Sequence, residues 1–95
     1  MPDKPKEELT KIEYWSYRVM RRSWAPIAGE KPAYSYGIYE VYFDQSDQVV
    51  TYSEESISPS GESIRELKGD VANYLKAFNS PILDYDNNGK ELTDE

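Results

Sequence analysis

The chain has 95 residues, of which 18 are Asp or Glu and 11 are Lys or Arg, giving a net charge of −7. It contains no Cys and no His. This excludes disulfides, thiol nucleophiles, zinc sites built from Cys and His, and imidazole acid–base catalysis. Secreted domains this small are usually stapled by disulfides, so we expect a cytoplasmic protein. No run approaches the roughly 20 apolar residues of a membrane span, so we expect no membrane association.

The charge is unevenly distributed along the chain. Residues 1–33 carry seven basic and five acidic side chains, a balance of +2, whereas residues 34–95 carry four basic and thirteen acidic ones, a balance of −9. An acidic domain repels a phosphate backbone, so we expect no nucleic-acid partner. A basic protein remains a possible partner for the acidic segment.

The ends of the chain differ in composition from its middle. Residues 1–10 are charged, contain two prolines and lack apolar periodicity, which predicts a flexible arm. Residues 86–95 are acidic and predict a flexible tail. Between them, residues 11–85 are expected to form a single α+β domain, since one domain is usual at this length.

The first structured segment is rich in aromatic and β-branched residues. Residues 12–20 predict a strand on which Trp15, Tyr17 and Val19 share one parity and form the core side. Residues 21–33 contain two prolines and a glycine, which predict a long irregular connection.

Two further strands and a helix follow. Residues 36–43 and 49–54 predict strands separated by a polar break of hairpin length. Ser63 followed by Glu66 matches a capping box at the start of a helix. The helix carries apolar residues at spacings of three and four, namely Ile64, Leu67, Val71, Tyr74, Leu75 and Phe78. The predicted fold is α+β: a three-stranded antiparallel meander with one C-terminal helix packed on one face, in the order β-β-β-α.

The second predicted strand is apolar at both parities. We expect its odd residues, Tyr39, Val41 and Phe43, to face the helix stripe. A chain of this length has little material left to cover a second apolar face, and dimerisation is a common remedy. The even residues are therefore predicted to form a homodimer interface. The candidate interface or ligand-binding residues are Tyr36, Ile38, Glu40, Tyr42, Arg18 and Trp24.

Glu40 is a single charge in the middle of this strand. A carboxylate there is costly unless it is paired. Arg18, in the middle of the predicted neighbouring strand, is its expected partner, in a cross-strand pair worth about 0.2–1 kcal/mol. The alternative is that Arg18, Glu40 and Tyr42 line a pocket for a polar ligand. The sequence offers no nucleophile–base pair and no phosphate-binding loop, so it indicates no catalytic residue, cofactor or metal site.

A pattern of several segments carries a resemblance to a known family: residues 15–19, 37–44, 58–63, Leu67 and Asp70. On these residues the chain resembles short uncharacterised bacterial proteins, some of them encoded on mobile integron gene cassettes, and the resemblance covers residues 14–84. The strand-strand-strand-helix order is also distantly similar to HicB-type antitoxin domains. Neither resemblance implies a catalytic residue.

Three functional hypotheses follow from these patterns. The first is a non-enzymatic cytoplasmic interaction protein that forms a homodimer through its sheet face. The second is a small-ligand-binding protein or minor enzyme with a pocket near Arg18, Glu40 and Tyr42. The third is an antitoxin-like protein that binds a basic partner.

Overall fold

The computed structural model describes residues 11–24, 31 and 33–93. Within that part the chain forms five strands and one α-helix, so the predicted α+β class is confirmed. The predicted arm of residues 1–10 lies outside the described residues. The elements in chain order are β1 (Tyr14–Trp24), β2 (Ala33–Phe43), β3 (Val49–Tyr52), α1 (Ile64–Leu75) with a 3-10 turn after it (Lys76–Asn79), β4 (Leu83–Asp84), a second 3-10 turn (Tyr85–Asn87) and β5 (Lys90–Glu91).

The described strands form one mixed sheet in the order β3-β2-β1-β4-β5. β1, β2 and β3 are consecutive antiparallel neighbours, which agrees with the predicted β-β-β-α order. The prediction of a purely antiparallel three-stranded sheet is wrong, because β4 adds to β1 in parallel with Met20 opposite Leu83. β5 then pairs with β4. Both added strands have only two residues, too few for a periodic sequence signal.

The first two strands are longer than the sequence indicates. β1 continues to Trp24 and β2 begins at Ala33, so residues 21–24 and 33 of the predicted connection are paired strand. The pairing starts at Tyr14 opposite Phe43 and continues without a shift to Trp24 opposite Ala33. Residues 25–30 and 32 lie outside the described part.

One side of the sheet, here called the inner face, carries the hydrophobic core. Its buried cluster consists of Met20, Tyr39, Val41, Phe43, Tyr52 and Leu83. The sheet folds over this cluster, since β3 contacts the segment after β4 although two strands separate them. The Tyr52 hydroxyl donates to the Tyr85 carbonyl over 2.5 Å, and the Tyr85 hydroxyl donates to the Glu54 carbonyl over 2.9 Å.

The C-terminal segment completes this closure. Gly89 is buried with a φ of +74°, and a Cβ atom placed on it would lie 2.9 Å from Cγ1 of Val49 in β3. The Leu92 amide donates to the Ile82 carbonyl over 2.8 Å. Within the segment predicted as a tail, Gly89 therefore lies against β3 and β5 pairs with β4.

The helix lies on the opposite, outer face. Tyr17 pairs with Glu40 across the strands, so the odd residues of β1 share a side with the even residues of β2. The ring centroids of Tyr17 and Tyr74 are 4.4 Å apart. The prediction that the helix covers Tyr39, Val41 and Phe43 is therefore wrong. Residues opposite each other in an antiparallel pair point to the same side, and the register, not the parity of each strand alone, decides which sets combine.

Ser63 begins the helix as predicted. Its Oγ accepts from the Glu66 amide over 3.1 Å. The second half of the predicted capping box differs, because Glu66 Oε1 accepts from the Glu62 amide over 3.3 Å instead of that of Ser63. Among the described residues, no helix is long and apolar enough to cross a membrane.

Candidate interaction surface

The apolar side of α1 and its 3-10 extension faces solvent. Four of its side chains are between 40% and 73% exposed and are here called the helix stripe: Ile64, Val71, Leu75 and Phe78. The helix contacts the sheet through other positions, with Tyr74 and Ala77 buried. The prediction that the stripe packs on the sheet is wrong for these four residues.

A polar contact fixes this orientation. Asp70 accepts from the Tyr17 hydroxyl over 3.0 Å and from the Ser60 amide over 2.9 Å, so it ties the helix to β1 and to the loop before the helix. Burial raises the pKa of Tyr17 to about 12, and the hydrogen bond to Asp70 acts in the same direction. Val71 lies about 100° around the helix from Asp70. Because Asp70 faces β1, the helix stripe does not face the sheet and remains exposed.

An exposed apolar stripe is energetically unfavourable for an isolated chain. Each such side chain would gain roughly 1.5–3 kcal/mol if it were fully buried. A helix of 12 residues is marginal in water without packing of its apolar face. Contiguous apolar patches of this kind typically mark protein or membrane contact sites.

The charges on the helix differ from those of the whole chain. Residues 64–79 carry three basic side chains and two acidic ones, a balance of +1 in a chain of −7. Arg65, Lys68 and Lys76 are exposed, and their positions place them beyond the stripe on the side away from Asp70. The helix region therefore differs from the acidic segment of residues 34–95 in which it lies.

Four of the predicted site residues lie together on the outer face of β2. Tyr36 is 54% exposed, while Ile38, Glu40 and Tyr42 are partly buried. Glu40 Oε1 accepts from the Tyr42 hydroxyl over 2.8 Å. Burial raises the pKa of Tyr42, and the hydrogen bond to Glu40 adds to that effect. Residues two apart on a strand share a face, which is the sequence signal that would have identified this pair.

Arg18 lies on the other side of the sheet from Glu40. It is opposite Tyr39 in the register, and its Nη2 donates to the Pro81 carbonyl over 2.7 Å. The predicted Arg18–Glu40 pair is wrong, because neighbouring residues of one strand point to opposite faces and Tyr17, not Arg18, stands opposite Glu40. A pocket lined by Arg18, Glu40 and Tyr42 together is not formed.

Trp24 is also separated from the outer-face residues. It follows Arg18 at an even spacing along β1, on the side opposite to Tyr36. Its Nε1 donates to Ser35 Oγ over 2.7 Å, and the guanidinium carbon of Arg22 lies 4.7 Å from its ring centroid. The six predicted site residues thus divide between the two faces of the sheet.

A cleft of about 530 Å³ lies near Arg18, on the inner side. Its walls come from the β2–β3 turn and from residues 88–91 after β4. Sequence reasoning missed it because residues 88–91 were assigned to a tail. A motif search offers no signal for such a cleft, since its walls are about 40 residues apart in the chain.

The described part of the chain contains no group of three or more Asp, Glu, His or Cys residues that could hold a metal ion. In comparisons with known proteins, no family model, no curated protein and no solved structure matches this chain.

Proposed function

We propose that this chain is a non-enzymatic interaction protein that forms a homodimer through its outer side, with the helix stripe at the centre of the contact. The observation that carries the proposal is the exposure of Ile64, Leu75 and Phe78, each more than 60% accessible to solvent. A second copy supplies the apolar surface that the chain itself does not place against them.

Aromatic residues beside the helix extend the proposed contact. Trp15 on β1 is about half exposed and lines a hollow together with Asn73 and Lys76 of the helix region. Trp, Tyr and Phe are enriched in interface cores, and a typical interface buries about 800 Å² on each partner. The four stripe residues alone are too few for that area, so the outer-face residues Tyr36 and Ile38 are proposed as its continuation.

Electrostatics favour the helix over other regions as the meeting point of two identical chains. Two copies that each carry −7 repel one another in general. The helix region carries +1, so two copies that meet there bring little like charge into contact. Contact between two copies at the acidic loop around Glu54 and Glu55 would bring like charges together, so this loop is disfavoured as a self-association site.

The test compares three substitutions to the same residue type. Leu75→Gln and Phe78→Gln each remove an apolar side chain from the stripe, whereas Ala72→Gln places the same side chain at an exposed helix position outside the stripe. Burial of one such side chain contributes roughly 1.5–3 kcal/mol. Since about 1.4 kcal/mol corresponds to a factor of ten, the dimer Kd should rise about 10- to 100-fold in each stripe variant.

The measurement is sedimentation velocity over a concentration series, with circular dichroism as a check that each variant is folded. Ala72→Gln should dimerise like the unmodified protein. Equal dimer Kd values for all three variants would contradict the proposed role of the stripe.

A further inference from the structure

The inner-side cleft has charged walls of both signs above an apolar base. Arg18 and Lys90 are its cations, and Asp47 and Glu91 are its carboxylates. Phe43, Val49 and Leu83 form the apolar base. Its volume of about 530 Å³ lies within the range of roughly 300–1,000 Å³ that is typical of small-molecule sites.

Arg18 carries a donor that the protein leaves unsatisfied. Its Nη2 bonds to the Pro81 carbonyl, but its Nε is buried and has no hydrogen-bond partner among the described residues. Burial lowers the pKa of Arg18, and Glu91 acts in the opposite direction from nearby. A buried donor without an acceptor is unfavourable. Because Arg18 lines the cleft, the charge of its guanidinium favours an anionic ligand group there.

Asp47 is held in place on the opposite wall. Its Oδ1 accepts from the Tyr14 hydroxyl over 2.7 Å, and the Tyr14 ring stacks on Phe43 at 5.0 Å between centroids. The φ of Asp47 is 61°, a left-handed conformation that Asp and Asn tolerate better than most residues. The carboxylate is therefore a fixed feature of the wall and is available at its remaining lone pairs.

We propose that this cleft binds the zwitterion of a free apolar α-amino acid, with the ligand carboxylate on Arg18 and the ligand ammonium on Asp47 and Glu91. The side chain of the ligand contacts Phe43 and Leu83. A phosphate ester fits less well, because two carboxylates in the walls repel a dianion. A simple amine or hydrocarbon leaves the Arg18 guanidinium without an anion in the cleft.

The test uses the intact chain, labelled with ¹⁵N and titrated at pH 7 with L-leucine, L-methionine and L-phenylalanine at millimolar concentration. We expect saturable amide shifts confined to residues 18, 43–49 and 83–91 for at least one of the three. The best ligand is then compared with its analogue without the amino group and its analogue without the carboxylate. Each analogue should bind at least tenfold more weakly. No saturable shift from any of the three amino acids, or equal binding by either analogue, would overturn the proposal.

Variants separate the two charged contacts. Asp47→Asn keeps an acceptor for Tyr14 and tolerates the left-handed backbone, so the fold should persist while the amino acid affinity falls about fivefold or more. Affinity for the analogue without the amino group should not change. Glu62→Gln removes a carboxylate outside the cleft and is the matched control. If Asp47→Asn weakens both ligands equally, or neither of them, the assigned role of Asp47 is wrong.

Arg18→Lys tests the contact with the ligand carboxylate, since it keeps a positive charge and removes the planar guanidinium that can bind a carboxylate through two hydrogen bonds. It should weaken the amino acid and its analogue without the amino group by about the same factor, and retained affinity for both would overturn the role of Arg18. The cleft and the helix stripe lie on opposite sides of the sheet. Leu75→Gln should therefore bind the ligand normally, which keeps failure of this proposal distinguishable from failure of the proposed dimer.

Discussion

Substitution of Gly89 by Ala perturbs the closure of the C-terminal segment on β3. Gly89 has a φ of +74°, and an added Cβ would meet Val49 Cγ1 at 2.9 Å and Val49 Cβ at 3.2 Å. Val49 is itself partly buried against the core cluster, so it has little room to move. Gly69→Ala is the matched control, because nothing lies within 4 Å of the Cβ that it adds in the middle of α1.

The two substitutions should change stability in opposite directions. At Gly89, the left-handed backbone costs an alanine roughly 1–2 kcal/mol, and the forced contact with Val49 costs roughly 1–3 kcal/mol more. We therefore expect a loss of about 2–5 kcal/mol. At Gly69, Ala is the better helix former by about 1 kcal/mol, so stability should rise by that amount. One kcal/mol corresponds to a Tm shift of about 4–8 °C in a domain of this size.

The assay is urea and thermal unfolding of both variants at one fixed protein concentration, since dimerisation makes Tm concentration-dependent. Gly89→Ala should melt about 8–40 °C below the unmodified protein. If it unfolds within about 0.5 kcal/mol of the unmodified protein, within the range of an ordinary surface substitution, residues 86–93 do not close on β3. They would then be the flexible tail that the sequence predicts.

Two further predictions concern the helix start and the buried tyrosines. Ser63→Ala removes the side-chain acceptor of the Glu66 amide and should lower the free energy of unfolding by about 1 kcal/mol; unchanged urea unfolding would contradict the cap. Burial raises the pKa of Tyr52 from 10.0 to about 12. The neutral Tyr52 side chain therefore makes its full contribution to the free energy of unfolding below pH 10, and this contribution is lost as the pH rises through 12. The loss is at most roughly 2–3 kcal/mol. Urea unfolding between pH 9 and 12 should show this loss, and Tyr52→Phe should reduce its slope; equal slopes for the two proteins would contradict the assignment.

Elements with strong local signals were predictable. The alternation around Tyr39 and Val41 identifies a central strand, and the polar break after Phe43 identifies a hairpin. Ser63 marks the first residue before the helix, and its cap forms as expected. These signals depend on residues within a few positions of each other, so they are readable without knowledge of the rest of the fold.

The relation between elements was not predictable in the same way. The alternation of apolar and polar residues assigns the residues of each strand to two faces. It does not show which face of one strand lies on the same side of the sheet as which face of the next strand. The observed register, with Tyr17 opposite Glu40, combines the sets differently from the prediction. The direction of the helix stripe depends on the bond between Tyr17 and Asp70, which are 53 residues apart. No local pattern contains that information.

The candidate site shows the same division. The outer-face residues of β2 were identified by their alternation and do lie together, whereas Arg18 and Trp24 were added by expected pairing and lie on the other face. The cleft near Arg18 could not be predicted without the position of residues 88–91, which form one of its walls. That position depends on the close fit of Gly89 against Val49. Contacts of that kind are set by packing between distant segments.

The measurement that tests the central claim most directly is sedimentation equilibrium of the unmodified chain at micromolar concentration and moderate salt. The proposed homodimer predicts a concentration-dependent mass that approaches twice the chain mass of 11.0 kDa. The Leu75→Gln chain should remain closer to 11.0 kDa at the same concentrations. A mass of 11.0 kDa for the unmodified chain throughout the series would contradict the account, because the exposed helix stripe would then have no second copy to cover it.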